Sequence, residues 1–182
     1  MVIRTEDLKK ALENCGALQF GEFTLASGAK SSYYIDIKKA STNPAVLRLI
    51  AQAMAAKIRE LGLHPQHVAG VVLGSIPLAT ALSLETDLPL LMVRKERKDH
   101  GTGKLVEGDL RPGDSVLVVE DVITTAGSSM KAVTELRSEG AKVGRVMSVI
   151  DRESGGRENL AAMDVELTAL VKGSDLLKDV GQ

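Results

Sequence analysis

The sequence predicts an α/β fold in which helices flank a central parallel sheet, with a small lobe at the N-terminus. Short, continuous apolar runs alternate with helical patterns over 68–73, 77–84, 90–93, 116–119, 128–138 and 143–150. Such runs are typical of strands that helices bury on both faces, and the alternation indicates repeated βαβ units. Ligands of these sheets bind beyond the carboxyl ends of the strands, so the functional residues are expected there.

The N-terminal lobe is predicted to contain one helix and one hairpin. Apolar residues at helical spacing predict a helix over 5–15, with Thr5 as its N-cap and Gly16 just beyond its end. An alternating pattern over 21–37, interrupted by a turn at 27–31, predicts the hairpin.

The remainder of the chain is predicted to form the core. An amphipathic pattern over 44–61 predicts a long helix that precedes the sheet. We expect residues 1–40 to form the lobe and residues 41–182 the core, within one compact domain. The chain after Gly173 is expected to be loose. His64 and His67 lie on a polar connector and are interpreted as surface residues without a role.

Composition and charge narrow the classes of function. Apolar residues make up 44% of the chain and charged residues 26%, as in globular proteins. A net charge of −1 gives no overall attraction to polyanions, which disfavours bulk nucleic-acid binding. Cys15 is the only cysteine, so an internal disulfide is excluded and a reducing, cytoplasmic location is expected. No apolar run is long enough to predict a membrane span.

A phosphate site is predicted where the apolar run 116–119 ends. Glu120 and Asp121 follow this run directly, and a hydroxyl-rich stretch then opens a helix. Free backbone N–H groups at a helix start bind phosphate. The hydroxyl groups that would assist are those of Thr124, Thr125, Ser128 and Ser129. Carboxylates this close to a phosphate would repel it unless they bind ribose hydroxyls or a divalent cation. The alternative is that the acids only cap a helix on a surface loop.

A cationic loop is predicted between positions 93 and 104. Its basic residues are Arg94, Lys95, Arg97, Lys98 and Lys104. Its glycines permit large backbone excursions, so the loop would close over a departing pyrophosphate, neutralise its charge and exclude water. The alternatives are a solvated charged turn and a nucleic-acid patch. Glu96 and Asp99 dilute such a patch, and no aromatic residue interleaves for base stacking.

Residues 115–129 resemble the phosphoribosyl-pyrophosphate motif of type I phosphoribosyltransferases. The resemblance implies the fold of that family. It assigns Glu120 and Asp121 to the ribose diol and the following loop to the 5′-phosphate. The residues of that loop are Thr124, Thr125, Ala126, Gly127 and Ser128. Ala126 stands where the family often has a second glycine.

Residues 94–101 resemble the catalytic loop of orotate phosphoribosyltransferases, which has the pattern Arg-Lys-Glu-x-Lys-Asp-His-Gly. The resemblance implies a homodimer in which the loop 94–104 reaches the neighbouring subunit's site. The side chains that would face pyrophosphate are Arg94, Lys95, Lys98 and His100. The resemblance further implies that Lys98, His100 and Asp121 are the catalytic residues, with His100 as a candidate proton donor.

Both phenylalanines and both tyrosines fall within 20–36, which suggests a resting place for a flat ligand. The segment resembles the N-terminal hood of orotate phosphoribosyltransferases, which contacts the orotate ring. The implied base-site residues, beside Thr124, are Ala26, Ser27, Gly28, Tyr34 and Ile35. Ala26 replaces a lysine common in the family, so either Lys30 or Lys38 substitutes or the role is dispensable. The alternative is that the aromatic side chains only pack the hood.

Two further segments complete the resemblance. Arg152 follows the run 143–150 and matches the family's arginine that pairs with the orotate carboxylate, a task suited to a planar guanidinium. Its alternative is a surface salt bridge with Asp151 or Glu153. Residues 70–79 resemble the family's pyrophosphate loop, in which backbone amides bind the ligand.

The resemblances imply an enzyme that transfers the 5-phosphoribosyl group from phosphoribosyl pyrophosphate to orotate in UMP biosynthesis. Mg²⁺ is the implied cofactor, bridging the ribose diol and pyrophosphate without an assigned protein ligand. One alternative is a phosphoribosyltransferase for another base, which would lack the 98–101 pattern and Arg152. The other is a ligand-sensing transcriptional regulator on the same fold, although the chain offers no clear DNA-reading helix.

Overall fold

A computed structural model of the chain describes residues 3–24, 28, 30–94, 96 and 105–177. The strands are β1 (Leu18–Thr24), β2 (Lys30–Ile35), β3 (His67–Val71), β4 (Leu90–Val93), β5 (Val106–Glu107), β6 (Ser115–Ile123), β7 (Lys142–Asp151) and β8 (Glu166–Lys172). The helices are α1 (Thr5–Asn14), α2 (Ile37–Ser41), α3 (Pro44–Glu60), α4 (Ile76–Thr86), α5 (Gly127–Ser138), α6 (Gly156–Ala161) and α7 (Gly173–Leu177).

The six-stranded sheet has the order β5-β4-β3-β6-β7-β8. All neighbouring strands from β4 to β8 are parallel, and only the short edge strand β5 is antiparallel. Helices cover both faces: one apolar cluster packs α1, α3 and α4 against the sheet, and a second packs α5 and α6 against the opposite face. The predicted fold class is therefore confirmed.

A separate two-stranded antiparallel sheet, β1 and β2, forms the predicted hairpin, whereas α1, which was predicted to share its lobe, packs in the core cluster with α3 and α4. Its register shifts between Phe20 and Phe23, where β1 carries a bulge. The predicted N-cap of α1 is wrong: Thr5 is the first helical residue, and Arg4 occupies the cap position. Instead of a hydroxyl cap, Arg4 forms an ion pair with Asp7. The Asp7 carboxylate also accepts the Arg4 backbone N–H.

Two other boundary predictions are corrected by the structure. The apolar run 116–119 is only the middle of β6, which continues through both acids to Ile123 because β7 pairs with it as far as Asp151. The chain just after Gly173 is helical rather than loose, since Leu176 is fully buried in the core.

His67 is buried, not a surface residue. It is the first residue of β3, and its Nε2 lies 3.1 Å from the backbone oxygen of Asp109. His64 is exposed, as predicted. Within the described ranges, every helix is too short or too polar to cross a membrane.

Gly70 marks the closest approach between β3 and α4. A methyl group at this position would lie 2.9 Å from the Ala79 Cβ and 3.0 Å from the Ser75 backbone oxygen. The absence of a side chain therefore lets α4 start directly above the end of β3. This approach places the β3–α4 loop (72–75) beside β6.

We expect Gly70→Ala to lower the free energy of unfolding by about 1–3 kcal/mol, because the added methyl group overpacks the contact between strand and helix. Chemical denaturation monitored by circular dichroism measures the change. Gly144→Ala is the matched control in β7, where a methyl group meets nothing within 4 Å. Equal stability of the two variants would contradict this role of Gly70.

Candidate active site

The candidate site lies where the carboxyl ends of β3, β6 and β7 meet. Three loops border this edge: the β3–α4 loop (72–75), the β6–α5 loop (124–126) and the β7–α6 loop (152–155). Parallel pairing aligns the strands, so loops that are far apart in sequence become neighbours. The structure thus brings together the predicted acids, the predicted phosphate loop and Arg152.

Glu120 occupies the centre of this edge with only 5% of its surface exposed. Its Oε1 accepts a hydrogen bond from the Ser75 hydroxyl, and its Oε2 accepts hydrogen bonds from the Ser128 and Ser129 hydroxyls at 3.1 Å each. The backbone N–H of Asp121 adds a longer contact of 3.4 Å to Oε1. Hydroxyl groups from two helices therefore solvate this carboxylate in place of water.

Burial raises the pKa of the Glu120 carboxyl above its ordinary value of 4.5. The hydrogen bond from Ser75 opposes the rise, and the neighbouring charge of Asp121 adds to it. The two remaining serine hydroxyls also hold the pKa down, because they favour the charged form. The three hydroxyls therefore offset part of the desolvation that burial imposes on the charged carboxylate.

Asp121 is the more accessible of the two acids. Its Oδ1 accepts the backbone N–H of Val122 at 2.7 Å, and its Oδ2 lies against the backbone of the β3–α4 loop. A methyl group placed on Gly74 would lie 2.6 Å from that Oδ2, so a side chain there would require the Asp121 carboxylate to move. Among the described residues, no donor is bonded to Oδ2, which leaves this oxygen available to a ligand.

The β6–α5 loop turns sharply at Ala126, which adopts a left-handed conformation with φ of 65° directly before α5. Few residues other than glycine favour this conformation. α5 begins directly after this turn, and the free N–H groups and the dipole at a helix start favour an anion. Thr124 and Thr125, in the same loop, are exposed. Ser128 and Ser129 were predicted to bind the phosphate directly, whereas here their hydroxyls bond Glu120.

Arg152 lies at the same edge, because its backbone N–H donates to the Ile123 oxygen at 2.8 Å. Its guanidinium carbon sits 5.2 Å from the centre of the buried Tyr33 ring, a cation–π geometry. The salt bridge considered as the alternative is absent from the described residues. Asp151 instead pairs with Arg157 at 3.1 Å, and Glu153 accepts the backbone N–H of Ser174.

The aromatic residues of the hairpin divide into two groups. Tyr33 is buried, whereas Tyr34 is 42% exposed and its ring centre lies 5.6 Å from that of Phe23. Ile35 is half-buried. The exposed pair is compatible with a surface for a flat ligand, but Ala26 and Ser27 lie outside the described residues.

The predicted cationic loop is described only at its beginning. Arg94 forms an ion pair with Glu107 at 3.0 Å, which joins the end of β4 to β5. Lys95, Lys98 and His100 lie outside the described residues. No cluster of three or more potential metal-ligating His, Cys, Asp or Glu side chains occurs in the described part of the chain.

Two residues of the site were missed in the sequence. Ser75 stands among small and apolar residues, and nothing near it in sequence indicates that its hydroxyl meets an acid 45 positions later. Tyr33 was grouped with the other aromatic residues, although its neighbour Tyr34 carries the alternation to the opposite face of the strand. That period of two was the signal that would have separated them.

Comparison with known proteins identifies relatives over nearly the whole chain. The family model described as phosphoribosyl transferase domain matches residues 36–171. An orotate phosphoribosyltransferase of Pyrococcus abyssi is 51% identical over 176 residues, covering 97% of each chain. One from Methanosarcina mazei is 53% identical over 173 residues, covering 95% of this chain and 91% of the other. The crystal structure of orotate phosphoribosyltransferase from Aeropyrum pernix matches with a TM-score of 0.80 and 33% identity, over 96% of this chain and 99% of that one.

The raised pKa of Glu120 predicts a pH-dependent contribution to stability. The folded chain holds this proton more tightly than the unfolded chain, so the group's contribution to the free energy of unfolding falls as pH rises from about 4.5 through the folded pKa. Glu120→Gln removes this titration. As pH rises over that range, we therefore expect the free energy of unfolding of the variant to increase relative to that of the parent. Urea denaturation at a series of pH values measures the difference.

Glu13→Gln, which removes an exposed carboxylate from α1, is the control for the loss of one charge. A stability difference between Glu120→Gln and the parent that stays constant with pH, or that moves in the opposite direction, would contradict the assignment.

Proposed function

The chain belongs to the orotate phosphoribosyltransferase family, and we propose that it transfers the 5-phosphoribosyl group from phosphoribosyl pyrophosphate to orotate. The products are orotidine 5′-monophosphate and pyrophosphate, as required in UMP biosynthesis. The observation that carries the proposal is the meeting of Asp121, the start of α5 and Arg152 at one edge of the sheet. These groups suit a sugar diol, a phosphate and a carboxylate respectively.

The sugar phosphate is held by the β6–α5 loop and the paired acids. The N–H groups at the start of α5 and the hydroxyls of Thr124 and Thr125 bind the 5′-phosphate, with Ala126, Gly127 and Ser128 shaping the turn. Asp121 accepts hydrogen bonds from the ribose hydroxyls, and Glu120 supports that position from behind. Binding both ends of the ribose fixes its anomeric carbon for reaction.

The base is bound from the opposite side. Arg152 pairs with the orotate carboxylate, which its planar guanidinium can take with two parallel hydrogen bonds. The Tyr33 ring beneath the guanidinium restricts the directions in which it can point. The backbone near Ala26, Tyr34 and Ile35, together with Thr124, completes the base site. A ring nitrogen of orotate then faces the anomeric carbon.

Departure of pyrophosphate requires positive charge, because the leaving group gains charge as its bond to the sugar breaks. Arg94, Lys95, Lys98 and His100 supply this charge, and His100 is the proposed proton donor. Lys98, His100 and Asp121 are thus the proposed catalytic residues. Closure of this loop keeps water from the cation-like ribose, so that orotate and not water attacks.

Mg²⁺ is the proposed cofactor, and the donor set of the site is compatible with it. Asp121 presents one carboxylate oxygen without a described donor, and carboxylate oxygens together with ligand oxygens suit this ion. When bound, the ion would neutralise charge on pyrophosphate and help to orient the ribose diol.

We propose that the protein is a homodimer in which the loop 94–104 reaches the neighbouring site. Support comes from the exposed apolar side chains on one flank of the sheet. Leu84 on α4 is 78% exposed and Met92 on β4 is 38% exposed, and a partner subunit would cover both. The division into a hood (1–40) and a core (41–182) is likewise proposed, as is a cytoplasmic location, which fits the single cysteine.

We expect the purified protein to consume orotate when phosphoribosyl pyrophosphate and Mg²⁺ are present, measured by the loss of orotate absorbance. Asp121→Asn should lower kcat/KM on the order of a hundredfold, because a carboxylate that holds the reacting sugar is lost. Asp109→Asn, which changes an exposed carboxylate distant from the site, is the control.

The same assay with uracil, adenine and hypoxanthine defines the base. Turnover of one of these bases without turnover of orotate would assign another specificity. Unchanged activity of Asp121→Asn would contradict the proposed sugar site.

A shared active site predicts complementation between two inactive variants. Lys98→Ala and Asp121→Ala homodimers should each be inactive, whereas a mixture refolded together should regain roughly a quarter of the parent's activity. About half of the randomly assembled dimers are mixed, and each mixed dimer holds one intact site. Activity assays after co-refolding, with size-exclusion chromatography to confirm dimers, measure this. A mixture that stays inactive, or a monomeric protein, would overturn the proposed arrangement.

A further inference from the structure

Ser75 uses its hydroxyl in an unusual way for the residue that precedes a helix. It occupies the N-cap position of α4, where a serine side chain ordinarily accepts an N–H of the first helical turn. No such cap hydrogen bond is present. The side chain is fully buried, and its hydroxyl donates to Glu120 Oε1 instead. Helix capping therefore does not account for this hydroxyl.

We propose that Ser75 is a positioning residue for phosphoribosyl pyrophosphate, which holds the Glu120 carboxylate and thereby fixes the two loops that flank the sugar. This inference rests on the proposed function. The Ser75 side chain is buried and acts through Glu120 and through the residues that Glu120 contacts.

The hydroxyl of Ser75 is the principal donor to one of the two carboxylate oxygens. Without it, Oε1 keeps only the 3.4 Å contact with the Asp121 N–H, while Oε2 retains Ser128 and Ser129. A buried carboxylate oxygen that loses its donor carries a desolvation penalty, so the side chain has to shift or take up a proton. Either response disturbs the two serines at the start of α5 and hence the proposed phosphate site.

The β3–α4 loop is disturbed by the same loss. Gly74 lies directly against the Asp121 carboxylate, so a loop released from Glu120 no longer supports Asp121 in one position. Both proposed contacts to the sugar phosphate therefore depend on one buried hydrogen bond.

The base site is held independently of this bond. Arg152 is fixed by its N–H to the Ile123 oxygen and by the Tyr33 ring, and neither contact involves Glu120 or Ser75. Loss of the hydroxyl should consequently weaken the sugar phosphate and leave orotate largely unaffected. A general loss of folding would not separate the two substrates in this way.

The test measures steady-state kinetics of Ser75→Ala with each substrate varied in turn. We expect KM for phosphoribosyl pyrophosphate to rise about tenfold and KM for orotate to change by less than about twofold. Ser83→Ala is the matched control on the same helix, because it removes a hydroxyl that bonds only the Leu88 oxygen. Ser75→Cys, which fills the same space with a weak donor, should behave like Ser75→Ala.

A double-mutant cycle tests whether Ser75 acts through the carboxylate. In a Glu120→Ala background, where the Ser75 hydroxyl has no carboxylate to bond, Ser75→Ala should add little further change to KM for phosphoribosyl pyrophosphate. Full additivity, an equal rise in both KM values, or a parental KM in Ser75→Ala would overturn the proposal. Calorimetric binding of phosphoribosyl pyrophosphate with Mg²⁺ reports on Ser75 even if the parent turns over no orotate, so failure of the proposed function is recognised separately.

Discussion

A carboxylate removed from water requires donors, and Glu120 finds them in three serine hydroxyls from two different helices. The arrangement of the whole edge follows from this solution. Ser75 joins the start of α4 to β6, while Ser128 and Ser129 join the start of α5 to the same strand. The charge is thus satisfied inside the protein, and the neighbouring Asp121 keeps an oxygen for a ligand.

The parallel sheet positions the residues around Glu120. Because β3, β6 and β7 run in the same direction, their following loops gather at one edge, and the apolar clusters on the two faces keep that edge rigid. The two acids lie inside β6, so strand geometry turns Glu120 and Asp121 to opposite sides. Glu120 meets the hydroxyls of α5, and Asp121 meets Gly74. One strand thereby gives two adjacent acids different tasks.

The sequence allowed the fold to be predicted wherever pattern and burial agree. The strand at 90–93 was placed correctly, and the helix predicted over 44–61 ends one residue earlier, at Glu60. Prediction failed where a contact between residues distant in sequence determines the local structure. Two acids indicated the end of a strand, yet β6 continues through them because β7 pairs with it as far as Asp151, and hydroxyls distant in sequence donate to the buried Glu120. His67 was assigned to the surface because its immediate neighbours are polar.

The sequence indicated which types of residue form the candidate site, but not which of them contact one another. The acids, the hydroxyl-rich loop and Arg152 were all identified, because their residue types and spacing carry the signal. Ser75 could not be found in this way, since its partner lies 45 positions away, and the alternation that separates Tyr33 from Tyr34 does not reveal that Tyr33 meets Arg152. Residues that touch a ligand leave a local pattern, whereas residues that hold those residues in place do not.

The connection between β8 and α7 also contacts residues of the candidate site. Gly173 lies behind Tyr33, and a methyl group there would approach the tyrosine hydroxyl to 3.1 Å and the Arg152 backbone oxygen to 3.3 Å. Even a small side chain at position 173 would press on both members of the cation–π pair at once. The spacing of the Tyr33 ring and Arg152 therefore depends on the small size of a residue in the last described helix.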